Sequence, residues 1–102
     1  MKNQSYNIFF SNLANPLRID IITSLRESEK NVSQLVKELK IEQSKLSHAL
    51  SALKCCNIVE SRQDGKQRIY SLNKETMIPM LKLIDNHAKN FCNKGQCNGG
   101  CK

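Results

Sequence analysis

The stretch SQLVKELKIEQSKLSHALSALKCCNIVESRQDGKQRIYSL, residues 33–72, decides the fold. Within it Leu46, Ala49, Leu50 and Leu53 recur with the spacing of one helix face, which predicts a helix over residues 43–56. Ser44, Lys45, Ser47, His48, Ser51 and Lys54 are left on its outer side. Upstream, Ser33 reads as the N-cap of a short helix that turns Leu35, Val36 and Leu39 inward, and Ile41-Glu42-Gln43 is a brief turn between the two. Downstream, Asn57 suits the left-handed conformation that ends a helix. The period then changes from helix to strand. Residues 58–62 and 67–72 are strand candidates around Gln63-Asp64-Gly65-Lys66, and Asp-Gly is a strong hairpin signal.

Outward from this centre, residues 6–13 carry Ile8, Phe9, Phe10 and Leu13 and read as a first helix. Asn15 and Pro16 open a second, over residues 16–26, with Leu17, Ile21, Ile22 and Leu25 on one face. Residues 27–31 form a polar connection. A last helix runs to about Phe91 with Met77, Ile78, Leu81, Leu83 and Ile84 apolar. Either Asn73 or Thr76 can cap it, and Pro79 is tolerated only behind a cap at Thr76. The expected fold is mainly α with a small β-hairpin, in the order of four helices, hairpin, helix. The first and last helices carry more apolar surface than a monomer of this size covers, which points to a homodimer.

The chain of 102 residues is one domain long, with residues 1–91 as that domain and 92–102 as a Cys/Gly-rich tail. Its composition, 39% hydrophobic and 25% charged, is that of a folded chain, and no apolar run spans a membrane. No signal-peptide pattern opens it. The five cysteines are odd in number and clustered at residues 55–56 and in the last eleven residues. That pattern suits reduced thiols in the cytoplasm better than a disulfide framework. The net charge of +7 points to a polyanionic partner. Seven of the sixteen Lys and Arg lie between Lys37 and Arg68, with four acids among them.

Two short amphipathic helices joined by about three residues have the arrangement of a helix-turn-helix, whose second helix enters the major groove of double-stranded DNA. The residues placed at base edges or phosphates are Gln43, Ser44, Lys45, Ser47 and His48. The hairpin adds Arg62, Lys66 and Arg68 as a basic wing for phosphate or minor-groove contact. No nucleophile–base pair or nucleotide loop is visible, so an enzyme is not expected.

Four segments together resemble the ArsR/SmtB metal-responsive repressors. Residues 13–22, LANPLRIDII, are similar to the family's L-[GA]-D-P-T-R-L-x-I-L opening. Residues 44–50, SKLSHAL, resemble its S-x-[VI]-S-x-H-L reading helix, with Ala49 in place of the usual His. Residues 53–59, LKCCNIV, resemble L-[KR]-x-A-G-L-V with Asn57 in place of Gly. Residues 62–72 resemble the wing R-x-x-G-[KR]-x-x-x-Y-x-L. The resemblance implies a winged helix-turn-helix, a homodimer built on the first and last helices, repression by operator occupancy, and release on binding a metal ion or metalloid.

The family's usual sensing positions are largely empty of ligands here. Its C-V-C-D-L-C site falls on Asn31, Ser33 and Val36. Asp85 and His87 match the first half of its last-helix site, whereas the second half falls near Asn98 and Cys101. Cys56 matches one reading-helix position of a cadmium- and lead-sensing branch, whose other position is Ala52. Cys92, Cys97 and Cys101 remain, a C-x4-C-x3-C run whose three thiolates suit As(III), Cd(II) or Pb(II). Zn(II) would ask for a fourth ligand such as Cys55, Cys56 or His87. Two further readings compete: a thiol-redox sensor of the same fold, and a small thiol-rich metal-binding protein with no operator.

Overall fold

The structure, a computed structural model, describes residues 3–90. Its elements run α1 (Asn3–Leu13), α2 (Pro16–Glu27), β1 (Lys30–Asn31), α3 (Val32–Leu39), α4 (Gln43–Cys55), β2 (Val59–Asp64), β3 (Gln67–Leu72) and α5 (Met77–Asn90). The three strands form one antiparallel sheet in the order β1-β3-β2. The four helices, the hairpin and the closing helix stand in the expected order. Among the described residues no helix is long and apolar enough to cross a membrane.

The core forms where α2, α3 and α4 meet the sheet. Ile21, Ile22 and Leu25 of α2, Leu35 of α3, and Leu46, Ala49, Leu50 and Leu53 of α4 are buried together with Val59 and Leu72 of the hairpin. Leu46 and Leu53 have no exposed surface, so the outer face of α4 is fixed by burial of its inner one. Burying one such side chain stabilises the fold by about 1.5–3 kcal/mol.

Local chemistry sets the ends of the helices. Asn15 caps α2, with its side chain accepting from Arg18 N–H and Pro16 at the start of the helix. The third helix begins earlier than Ser33, because Asn31 is its cap. Asn31 Oδ1 accepts from Gln34 N–H, and Gln34 Oε1 accepts from Asn31 N–H, each at 2.8 Å. This reciprocal pair satisfies two helix-end donors at once and outcompetes a single serine hydroxyl.

The end of α4 is a six-residue wrap. Ile58 N–H reaches Leu53 C=O and Asn57 N–H reaches Lys54 C=O, both at 3.0 Å, with Asn57 at φ 58°. Leu53 and Ile58, the first and last residues of the wrap, are both buried.

Two further expectations need correction. Residues 27–31 are not wholly a connection: Lys30 and Asn31 pair with Tyr70 and Ile69 as a third strand. A two-residue strand carries no readable alternation, so the sequence holds no signal for it. The hairpin strands also run to Asp64, leaving Gly65 and Lys66 as the turn. Gly65 has φ +65° and Lys66 does not share the sign, the pattern of a type II′ turn with glycine first. The last helix starts behind Thr76, so Pro79 lies in its first turn, where it is tolerated.

Candidate nucleic-acid interface

The helix-turn-helix is α3, the turn Lys40–Ile41–Glu42, and α4. Lys40 takes the left-handed conformation at φ 56° and its N–H bonds Val36 C=O at 2.8 Å, which closes α3 and redirects the chain into α4. Gln43, Ser44, Lys45, Ser47 and His48 are all exposed on α4. They cluster in the first two turns of the helix, on the side away from Leu46, Ala49 and Leu50. An exposed, polar first half of a helix set on a rigid core has the shape and chemistry to enter a DNA groove.

The hairpin divides its basic residues between two faces. Arg68 stands opposite Gln63, and Arg62 opposite Ile69. By strand alternation Arg68 therefore continues the side of Val59, Leu72 and Tyr70, whereas Arg62 lies on the other side. Arg68 is exposed and donates to Ser61 Oγ at 3.2 Å. Arg62 Nη2 is held by Glu29 Oε2 at 2.7 Å, an exposed ion pair that ties the hairpin to the connection between α2 and β1. Lys66 sits at the exposed turn. Arg68 and Lys66 thus carry charge that no described carboxylate neutralises, and Arg62 does not.

The candidate ligands among the described residues are scattered. Cys55 is exposed, while Cys56 is half-buried against the core and accepts from Asn12 Nδ2 at 2.9 Å. Asp85 pairs with Arg26 at 2.9 Å. His87 is exposed on the last turns of α5. No three His, Cys, Asp or Glu side chains among the described residues come together as a metal centre. Cys92, Cys97 and Cys101 lie outside the described residues.

Beyond the helices and hairpin, α5 leaves the body of the domain. Met77 is buried and Ile78, Met80 and Leu81 pack on the core, but every residue from Lys82 to Asn90 is exposed. Leu83 is 71% exposed and Ile84 49%. On α1, Phe9 and Leu13 face the core while Ile8 and Phe10 point outward at 54% and 59% exposure. Tyr6 stacks on Phe10 with ring centroids 6.5 Å apart. The outward sides of α1 and α5 are apolar surface of the kind that a second subunit covers.

One feature of the face is absent from the sequence reading. Arg18, in the first turn of α2, lines an open groove with Ser44, Lys45 and His48. Its signal in the sequence is a basic residue two positions after a helix-opening proline, within the apolar run of α2.

Residues 15–61 match the family model described as bacterial regulatory protein, arsR family. The chain is similar to Rv0081 of Mycobacterium tuberculosis, whose crystal structure superposes with a TM-score of 0.72 at 33% identity, covering 76% of this chain and 79% of that one. It is similar to NolR from Sinorhizobium fredii, with a TM-score of 0.73 at 31% identity over 81% of this chain and 83% of that one. It also matches the transcriptional repressor SmtB homolog of a Synechocystis strain, at 30% identity over 79 residues, which is 78% of this chain and 60% of the relative. The chain spans about 60% of the length of the curated relatives it matches first.

Proposed function

The chain belongs to the ArsR family of bacterial regulatory proteins, and from that premise we propose that it is a homodimeric repressor that holds a double-stranded DNA operator through α4 and the hairpin. The observation that carries this reading is the polar face of α4, with Gln43, Ser44, Lys45, Ser47 and His48 exposed over a fully buried Leu46. Lys45 and Arg68 supply phosphate contacts, and Gln43 and Ser44 read base edges. A helix as exposed as residues 82–90 gains its stability from a partner, and the matching apolar sides of α1 and α5 supply one between two copies.

The repressor leaves the operator when a thiophilic ion binds its thiolates. Cys92, Cys97 and Cys101 are the proposed ligands, and As(III), Cd(II) and Pb(II) the proposed inducers. Among the described residues, Cys55 and Cys56 face different surroundings and Asp85 is engaged by Arg26, so they make no site of their own. In sequence Cys92 follows the last residue of α5 by two positions. A ligand held there bears on the helix that joins the two subunits, and hence on the spacing of the two α4 helices. The ion must bind the DNA-free arrangement more tightly, or no release follows.

The test is a titration of the DNA complex with arsenite, Cd(II), Pb(II), Zn(II) and an oxidant, under reducing controls. Wild type should release DNA with at least one of the first three. The combined variant Cys92→Ser, Cys97→Ser and Cys101→Ser should bind DNA normally and not release it. Release by the triple variant would move the sensor elsewhere, and release by oxidant alone would make it a redox switch.

A further inference from the structure

Arg18 is set in place at both ends. Its backbone N–H bonds the capping side chain of Asn15 at 3.2 Å, and its Nη1 donates to Oδ1 of Asn12. Asn12 is only 6% exposed, and its Nδ2 donates in turn to Cys56 Sγ at 2.9 Å. A guanidinium can only donate, so the amide oxygen must face Arg18 and the amide nitrogen must face the sulfur. The buried amide is therefore locked in one orientation, and it aims the guanidinium.

No carboxylate among the described residues neutralises the charge of Arg18. Arg26, Lys30 and Arg62 each have a carboxylate partner within 3 Å. Among the described residues Arg18 has none. Its side chain shares an open groove of about 440 Å³ with Lys45, Ser44, His48 and Asn15. Arg18 and Lys45 bring two basic residues to the lining of one groove, which favours an anion there. The other N–H groups of the guanidinium, a planar fork, match the oxygens of a phosphate.

We propose that Arg18 is a further DNA contact, a phosphate clamp at the edge of α4, positioned by the buried amide of Asn12. It fixes where α4 sits along the groove without reading a base. The assignment rests on the DNA-binding reading above.

A phosphate contact needs no operator, so the probe is a fluorescent duplex of mixed sequence, followed by anisotropy across a salt series. Arg18→Gln keeps an N–H for Asn12 and removes the charge. It should weaken binding several-fold and lower the slope of log affinity against log salt by about one per protomer. Arg18→Lys should keep most of the slope. Full affinity and slope in Arg18→Gln, with both reduced in Lys45→Gln, would overturn the role of Arg18 and leave the DNA face standing. If neither variant differs from wild type, the DNA face itself fails. A second measurement needs no substitution: phenylglyoxal labelling of wild-type Arg18, read by mass spectrometry. A saturating duplex should protect it, and labelling at an unchanged rate would also overturn the proposal.

Discussion

Asn12 donates to Cys56 across 44 positions of sequence, and this bond joins α1 to the end of α4. It connects a helix with an exposed apolar side to the helix whose polar side is proposed to face DNA. The same amide accepts from Arg18, so one buried side chain touches three helix ends.

Cys56 should accordingly matter more as an acceptor than as a filler of space. Cys56→Ala leaves the amide nitrogen of Asn12 without that partner, at a cost of about 1–3 kcal/mol. Cys56→Ser keeps an acceptor and should lose less. Urea denaturation of the two variants checks this, and equal losses would show that the bond contributes nothing beyond packing.

The salt link between Lys30 and Glu38 predicts an acid-sensitive contribution to stability. Lys30 Nζ binds Glu38 Oε1 at 2.8 Å and the hydroxyl of Ser24 at 2.7 Å. The hydrogen bond from Lys30 holds the Glu38 carboxyl below the usual glutamate range, with a smaller contribution from Ser24. A carboxyl with a lowered folded pKa stabilises above the unfolded pKa, and loses that stabilisation as pH falls through the folded one. Melting curves should separate wild type from Glu38→Gln at neutral pH and converge on acidification. A gap unchanged down to strongly acidic pH would contradict the link.

Much of the fold was legible because burial and period coincide. Leu46, Ala49, Leu50 and Leu53 are the buried residues of α4, and the same four residues define its period in the sequence. The hairpin was legible from Asp64 and Gly65, and the helix end from Asn57. The strand at Lys30 and Asn31 was not, because its pairing partners Tyr70 and Ile69 lie far along the chain. The cap at Asn31 was hidden for a different reason: Ser33 is also a good capping residue, and only the reciprocal bond with Gln34 decides between them. In the site, the exposed row on α4 could be read directly. The split of Arg62 from Arg68 needed the strand register, and the place of Arg18 needed the packing of α2 against α4.

The exposed apolar sides of α1 and α5 predict a dimer that a single charge should disrupt. Leu83→Glu places a carboxylate on a residue that is largely exposed among the described residues. Sedimentation should show a shift from dimer to monomer, and the melting temperature should fall as α5 loses its partner. DNA affinity should fall by about a hundredfold, as the two half-sites lose their linkage. A Leu83→Glu protein that remains dimeric would place the interface elsewhere.

The register of the hairpin predicts unequal effects for its two arginines. Arg68→Ala should weaken DNA binding and flatten its salt dependence, as Lys45→Ala should. Arg62→Ala should act mainly through loss of its exposed pair with Glu29, which is worth at most about 1 kcal/mol of stability. A salt series on the three variants checks the order. Equal losses at Arg62 and Arg68 would contradict the two-sided wing.

The most direct test of the central claim, that two α4 helices of a dimer read DNA, is selection from a random duplex pool. Wild type should enrich an inverted repeat with half-site centres about one helical turn apart, the spacing of paired reading helices. The double variant Lys45→Ala with Arg68→Ala should not. Failure of the wild-type protein to enrich any sequence over that double variant would contradict the account.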